Sequence, residues 1–244
     1  QTYASWNWKA GGTAVSNTDG SVTSQVSANT TAGFSIATFT GGSAGYTVGH
    51  GLSQAPEIVF TFNRTDSGGA NYVFTTAVDG TIDYLSLNAT TAASNDPFSM
   101  PAFTSTVFSL DNDYGMDTGD NCVAYCFHSV EGFSKVGNFL GNGNADGTFV
   151  YTGHRPSFLL IKRTDAAGTN WWIFDNKRST FNVVNDGIIT NGSDAEFGDN
   201  SSLLIDFLSN GFKVRNTYGD LNTSGANHIF LSFAESPFKY ANAR

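Results

Sequence analysis

The sequence predicts an all-β protein built as two tandem β-sandwich repeats of jelly-roll or lectin-like type, and three observations predict it. The first is composition. With 27 Gly and 21 Phe among 244 residues and only 14% charged residues, the chain favours strands and turns over helices, because aromatic side chains fit a pleated surface and glycines bend. The second is patterning: short apolar runs are bounded by Gly, Asn, Asp and Ser, and no window sustains the i, i+3, i+4, i+7 spacing of an amphipathic helix. The third is internal repetition. Gly33-Phe34-Ser35 returns as Gly132-Phe133-Ser134 and Arg64-Thr65-Asp66 as Arg163-Thr164-Asp165, both at an offset of 99 (33 to 132, 64 to 163). Tyr114-Gly115 returns as Tyr218-Gly219 at 104 (114 to 218). The length suits two domains of roughly 100–120 residues.

Residues 1–32 read as a strand of a preceding repeat followed by a Gly/Ser/Thr-rich linker. In the strand, residues 1–8, Ala4, Trp6 and Trp8 face one way and Tyr3, Ser5 and Asn7 the other. Its aromatic placement matches the closing segments Cys122–Phe127 and His228–Phe233, so the chain is expected to open on the last strand of a further copy. Thr18-Asp19-Gly20 is a turn signal at which the linker can hairpin. The first repeat, 33–131, carries strands at Phe34–Phe39, Tyr46–Val48, Pro56–Arg64, Asn71–Thr75, Tyr84–Leu87, Thr106–Leu110 and 122–128, with Pro56–Arg64 apolar enough to be central. The second, 132–244, keeps the order: Ser134–Leu140, Thr148–Thr152, Ser157–Arg163, Asn170–Asp175, Asp186–Thr190, Leu203–Leu208 (strand or short helix), Phe212–Arg215 and Asn227–Phe233. Both closing strands alternate, which predicts Val123, Tyr125 and Phe127 in one, and Ile229, Leu231 and Phe233 in the other, as the core face.

The formal net charge of −9 argues against nucleic acid, which needs a basic footprint, and against docking on anionic lipid. No run reaches the roughly 18–20 apolar residues of a membrane span. Cys122 and Cys126 sit on one face of a strand, about 13 Å apart at 3.3 Å per residue, beyond the roughly 4.4–6.8 Å a disulfide spans. Unpaired thiols suit synthesis in a reducing cytosol.

The densest acidic stretch, Asp111–Asp120, offers Asp111, Asp113 and Asp117 to Ca²⁺, which wants several oxygens on a tight bend. It lacks a closing Glu, and its counterpart Arg215–Asp220 has lost most carboxylates, so a solvated turn is the preferred reading. His50 and His154 occupy similar slots after a Gly and tempt a reading as paired ligand contacts, although no zinc spacing is present. Trp171, Trp172 and Tyr72 are candidates for sugar stacking. Adjacent strand residues point to opposite faces, so at most one of Trp171 and Trp172 can be exposed. The repeated Arg-Thr-Asp reads as a turn in which Asp66 and Asp165 accept backbone N–H bonds. No nucleophile-elbow, P-loop, dinucleotide or metalloprotease pattern occurs, and the acids are not repeated between copies as a duplicated catalytic pair would be. The chain is expected to be no enzyme and to hold no cofactor.

Several segments resemble a repeated C-terminal domain of unknown function found in tail-fibre-like and virion-associated proteins of marine bacteriophages: Trp6–Ser21, Thr47–Leu52, Val123–Gly132, Asn210–Lys213 and Pro237–Arg244. In that family the module often follows a lectin-like, laminin-G-type sandwich, and Ala241–Arg244 looks like its natural C-terminus. The resemblance implies a virion structural protein, a tail fibre or surface appendage mediating host attachment, made in the host cytoplasm and acting outside the cell. Other virion proteins and a host cell-surface glycan or protein are the expected partners, with a homo-oligomer, such as a trimer, as the assembled form. A capsid decoration or collar protein of purely structural role and a carbohydrate-binding module are the alternatives.

Overall fold

The structure is a computed structural model that describes residues 3–66, 68–98 and 100–236. It is all-β, with about 40% of residues in strands and 3% in helix. In chain order the strands are β1 (Val15–Asn17), β2 (Ser24–Asn29), β3 (Phe34–Thr40), β4 (Tyr46–Gly49), β5 (Ile58–Asn63), β6 (Tyr72–Thr75), β7 (Asp83–Ser86), β8 (Ser94–Asn95), β9 (Val107–Leu110), β10 (Asn121–Phe127), β11 (Ser134–Leu140), β12 (Phe149–Tyr151), β13 (Pro156–Arg163), β14 (Trp171–Asp175), β15 (Ile188–Ile189), β16 (Ile205–Leu208), β17 (Gly211–Val214) and β18 (Asn227–Ala234). A 3₁₀ turn at Asn112–Tyr114 and one short helix, α1 (Gly219–Asn222), complete the elements. Among the described residues no helix is long and apolar enough to cross a membrane.

The chain divides into two compact units, residues 1–69 with 98–128, and 70–97 with 129–244. The second junction lies close to the expected boundary at 131/132. Residues 70–97, expected in the first repeat, belong instead with the second unit. The cause is hydrogen bonding: Ala93 N donates to Thr164 O at 2.8 Å, Gly168 N to Thr90 O at 2.7 Å, and the Trp171 indole to Ser86 O at 2.9 Å.

In unit one β10 runs between β3 and β5, antiparallel to both, with β2 and then β1 continuing the sheet beyond β3, while β4 pairs with β9. In unit two β18 runs between β11 and β13 in the same way, β14 and β15 follow β13, and β12, β17 and β16 form a second ladder. The registers coincide. Phe34↔Phe127 and Ile58↔Phe127 in unit one stand where Ser134↔Phe233 and Phe158↔Phe233 stand in unit two, and Val48↔Phe108 stands where Val150↔Phe212 does. The ladders are therefore related by offsets of 100 for β3 to β11 and for β5 to β13 (34 to 134, 58 to 158). The Gly-Phe-Ser motifs, at 99, are out of step with the ladder by one residue. Gly33 O accepts from His128 N, but it is Phe133 O that accepts from Ala234 N.

The core of unit two gathers Phe139, Leu159, Trp172, Phe174, Phe212 and Phe230, with other apolar side chains around them. Each large side chain so buried contributes about 1.5–3 kcal/mol. In unit one the core face of β10 differs from expectation. Cys122, Ala124 and Cys126 are the most deeply buried, and Val123 and Tyr125 are half-exposed on the other side, where Tyr125 stacks on Phe34 at 6.5 Å. The interior at β10 takes small residues because the rings of Phe39 and Phe108 fill it.

Residues 5–8 keep the expected alternation, with Trp6 and Trp8 half-buried and Ser5 and Asn7 exposed, but Ala4 is exposed like Tyr3, and residues 3–8 join no sheet, which corrects the strand expected there. Trp8 meets Phe127 edge-on at 6.1 Å. The expected linker holds the β1–β2 hairpin around Asp19-Gly20, and β2 pairs with β3 from Phe34 to Phe39. Leu203–Leu208 resolves as a strand from Ile205. Asp66 accepts from Gly68 N at 2.8 Å as expected, whereas Asp165 pairs with the Arg163 guanidinium at 2.6 Å. Residues 1 and 2 and the Pro237–Arg244 segment lie outside the described residues.

Candidate binding groove

The residues singled out from the sequence are mostly sequestered. Trp171 and Trp172 are 1% and 3% exposed, so neither presents a ring to a ligand; β14 is covered on both faces. Tyr72 is half-buried, edge-on to Tyr84 at 6.0 Å. His50 is buried, its Nε2 set against Thr104 O and its Nδ1 accepting from Leu52 N, both at 3.1 Å. His154 is also buried, with Nε2 at 3.1 Å from Ser232 Oγ, and burial holds it at a pKa of about 4. The two histidines lie in different units; His50 ties two loops together and His154 ties its loop to β18.

The acidic stretch is used for backbone capping. Asp111 accepts from Asp113 N at 3.1 Å and from Gly45 N at 2.9 Å. Asp120 accepts from Asn63 Nδ2 at 2.7 Å and from Asp117 N at 3.1 Å. Among the described residues no group of three or more His, Cys, Asp or Glu side chains is placed to hold a metal. Burial raises the thiols of Cys122 and Cys126 to about 11 and about 12, which keeps them protonated and unreactive. Lys162 is fully buried, and burial lowers it to about 8. Its Nζ is spent on Thr169 O and Oγ1, each at 2.7 Å, so it reaches no reacting group.

What remains open is a groove of about 390 Å³ in unit two between β11 and β12, both of them edge strands. β11 lines it with Val136, Gly137 and Phe139, β12 walls it with Phe149 and Tyr151, and Phe230 of β18 completes the lining. Phe149 is 45% and Tyr151 67% exposed, while Val150 between them is buried. The alternation of β12 thus aims two aromatic rings outward. A Cβ at Gly137 would lie 3.0 Å from the Phe230 ring, so a larger residue in the cross-strand pair Gly137↔Phe230 would press on that ring. The matching pair in unit one is Ala37↔Ala124. Sequence reasoning missed this wall. The signal was present: Phe149-Val150-Tyr151 is apolar at every position, where Thr47-Val48-Gly49 carries one apolar residue.

The rings can stack on the apolar face of a sugar or pack against an apolar side chain. The adjoining strand edge can hydrogen-bond an extended peptide. A family model described as "Domain of unknown function (DUF7483)" matches residues 1–237. No curated protein and no solved structure matches the chain.

Proposed function

We propose that the chain, which belongs to the DUF7483 family, is a non-catalytic binding module of a bacteriophage virion: a tail-fibre or surface-appendage component that attaches the particle to its host. In this reading the two units are tandem β-sandwich repeats of jelly-roll or lectin-like type, which the matched ladder registers support. Its partners are other virion proteins and a host glycan or protein, and it works as a homo-oligomer outside the cell. The observation that carries the reading is the contrast in exposure. Trp171, Trp172, His50 and His154 are locked inside, and Phe149 and Tyr151 stand open beside a groove. Aromatic groups left in water on a rigid strand are placed to meet a partner.

The test is binding of the folded chain to a glycan array and to intact host cells, beside the Phe149→Ala/Tyr151→Ala variant. Saturable binding weakened at least tenfold in the variant supports attachment through this surface. Release of reducing sugar ends from any bound glycan would show an enzyme instead. The open edges of β11 and β12 favour a second reading, a capsid decoration or collar protein whose partners are other virion chains.

A further inference from the structure

The groove in unit two coincides with a position that unit one fills. In unit one, residues 20–29 bridge the two ladders. Val22 lies beside Val48 in a parallel bridge, Ser21 and Thr47 exchange hydrogen bonds of 2.9 Å, and Ser24 Oγ donates to Gly49 O at 2.8 Å. The segment then pairs with β3 through Ser24↔Phe39, Gln25↔Thr38 and Val26↔Ala37. The ladder offsets carry Ala37, Thr38 and Phe39 onto Gly137, Asn138 and Phe139, and Thr47, Val48 and Gly49 onto Phe149, Val150 and Tyr151 (37 to 137, 48 to 150). These are groove residues.

Among the described residues unit two has no equivalent strand, for a reason visible in its connectivity. The chain passes from β10 to β11 in six residues (128–133), too few for a strand and a turn. A remnant is kept. Val130 forms an isolated bridge with Ser134, and Ser129 Oγ accepts from Val136 N at 3.0 Å and donates to Val136 O at 3.5 Å. Because Val136 turns its N–H and C=O outward, alternation turns those of Asn138 outward too, at the position where Thr38 meets Gln25 in unit one.

We infer that the β11–β12 groove is a docking site for one extended polypeptide strand supplied by a partner protein, antiparallel to β11 and patterned like Ser21–Asn29, with β-branched residues at the positions of Val22 and Val26 and small or polar residues between. The internal template fixes direction, register and residue class. We take the occupant as a single strand. At Gly49 an added Cβ would meet the Asn17 side chain of β1, and Tyr151 stands at the equivalent place, so its side chain competes with a second strand placed like β1. The main-chain bonds are those of strand addition at a sheet edge. This rests on the groove being the binding surface and names its partner.

The test uses the full chain, isotope-labelled, titrated with a synthetic peptide of residues 20–29 (Gly-Ser-Val-Thr-Ser-Gln-Val-Ser-Ala-Asn) and with the same peptide carrying Gln25→Pro, which removes the N–H that would face Asn138. Saturable shifts at Gly137, Asn138 and Phe149–Tyr151, weakened at least tenfold by the proline, are expected. Shifts confined to β3 and β4 would mean displacement of β2 by the peptide and would overturn the inference. So would shifts unaffected by the proline, or self-association of the chain through this groove by residues 20–29 of a second copy. If no peptide binds but a glycan perturbs Phe149 and Tyr151, the strand inference fails while the attachment reading survives. If neither binds, both fail.

Discussion

The Trp172 indole N–H donates to Asp220 Oδ2 at 3.0 Å in the interior of unit two. The same oxygen accepts from Asn170 N at 3.0 Å and Asn170 Nδ2 at 3.1 Å, so one carboxylate of α1 fastens β14 at its start. Removing it leaves buried donors without an acceptor, at about 1–3 kcal/mol each. Asp220→Ala is expected to lower unfolding free energy by about 2–4 kcal/mol, and Asp220→Asn, which keeps an acceptor oxygen, by less. Urea unfolding of the two variants checks this; equal losses would show that the acceptor is not what matters.

Stability is expected to fall on mild acidification. Burial holds His154 and His228 at about 4, below their usual 6.5. Between those values the unfolded chain binds protons that the folded chain does not, so each histidine's contribution is complete above about pH 6.5 and is lost as pH drops toward 4. The loss is on the order of 1–3 kcal/mol per histidine. Asp83 opposes it, since burial raises its carboxyl to about 6 from 3.8, and its contribution is present at low pH and lost as pH rises through 6. Denaturant midpoints from pH 7 to 4 should therefore fall, and His228→Asn should flatten the slope. A midpoint that is level or rises toward pH 4 contradicts the assignment.

Core and surface aromatics should separate cleanly. Trp171→Ala is expected to cost about 3–5 kcal/mol, because the ring is 1% exposed and its indole is bonded to Ser86 O. Tyr151→Ala, at 67% exposure, should stay within about 0.5 kcal/mol of wild type. Thermal unfolding of both reads this directly. A large loss for Tyr151→Ala would make β12 part of the core and remove it as a binding wall.

Much of the strand order was legible because strong alternation and turn residues bound each run: Ser134–Leu140 was read to the residue. The parts that were not legible have physical causes. The strand β2 is Ser-Gln-Val-Ser-Ala-Asn, polar at most positions, so its sheet position comes from pairing with β3 and not from hydrophobicity. The core face of β10 differs at Val123 and Tyr125, though not at Phe127, because its small residues, Cys122, Ala124 and Cys126, are the most deeply buried. The one-residue slip between motif and ladder sits in the turns, since Asn29 pairs with Phe34 five residues on whereas Val130 bridges Ser134 four residues on. The groove was hidden because it is defined by a strand that one unit has and that the described residues of the other do not supply.

Amide hydrogen exchange at Thr38 and Asn138 tests that difference most directly. Thr38 faces Gln25 of β2, and Asn138 sits at the equivalent place on β11, an edge strand. In the free chain the Thr38 amide is expected to be protected and the Asn138 amide to exchange faster by orders of magnitude. Protection of Asn138 equal to that of Thr38 in the free, monomeric chain would contradict an open strand position and the binding surface built on it.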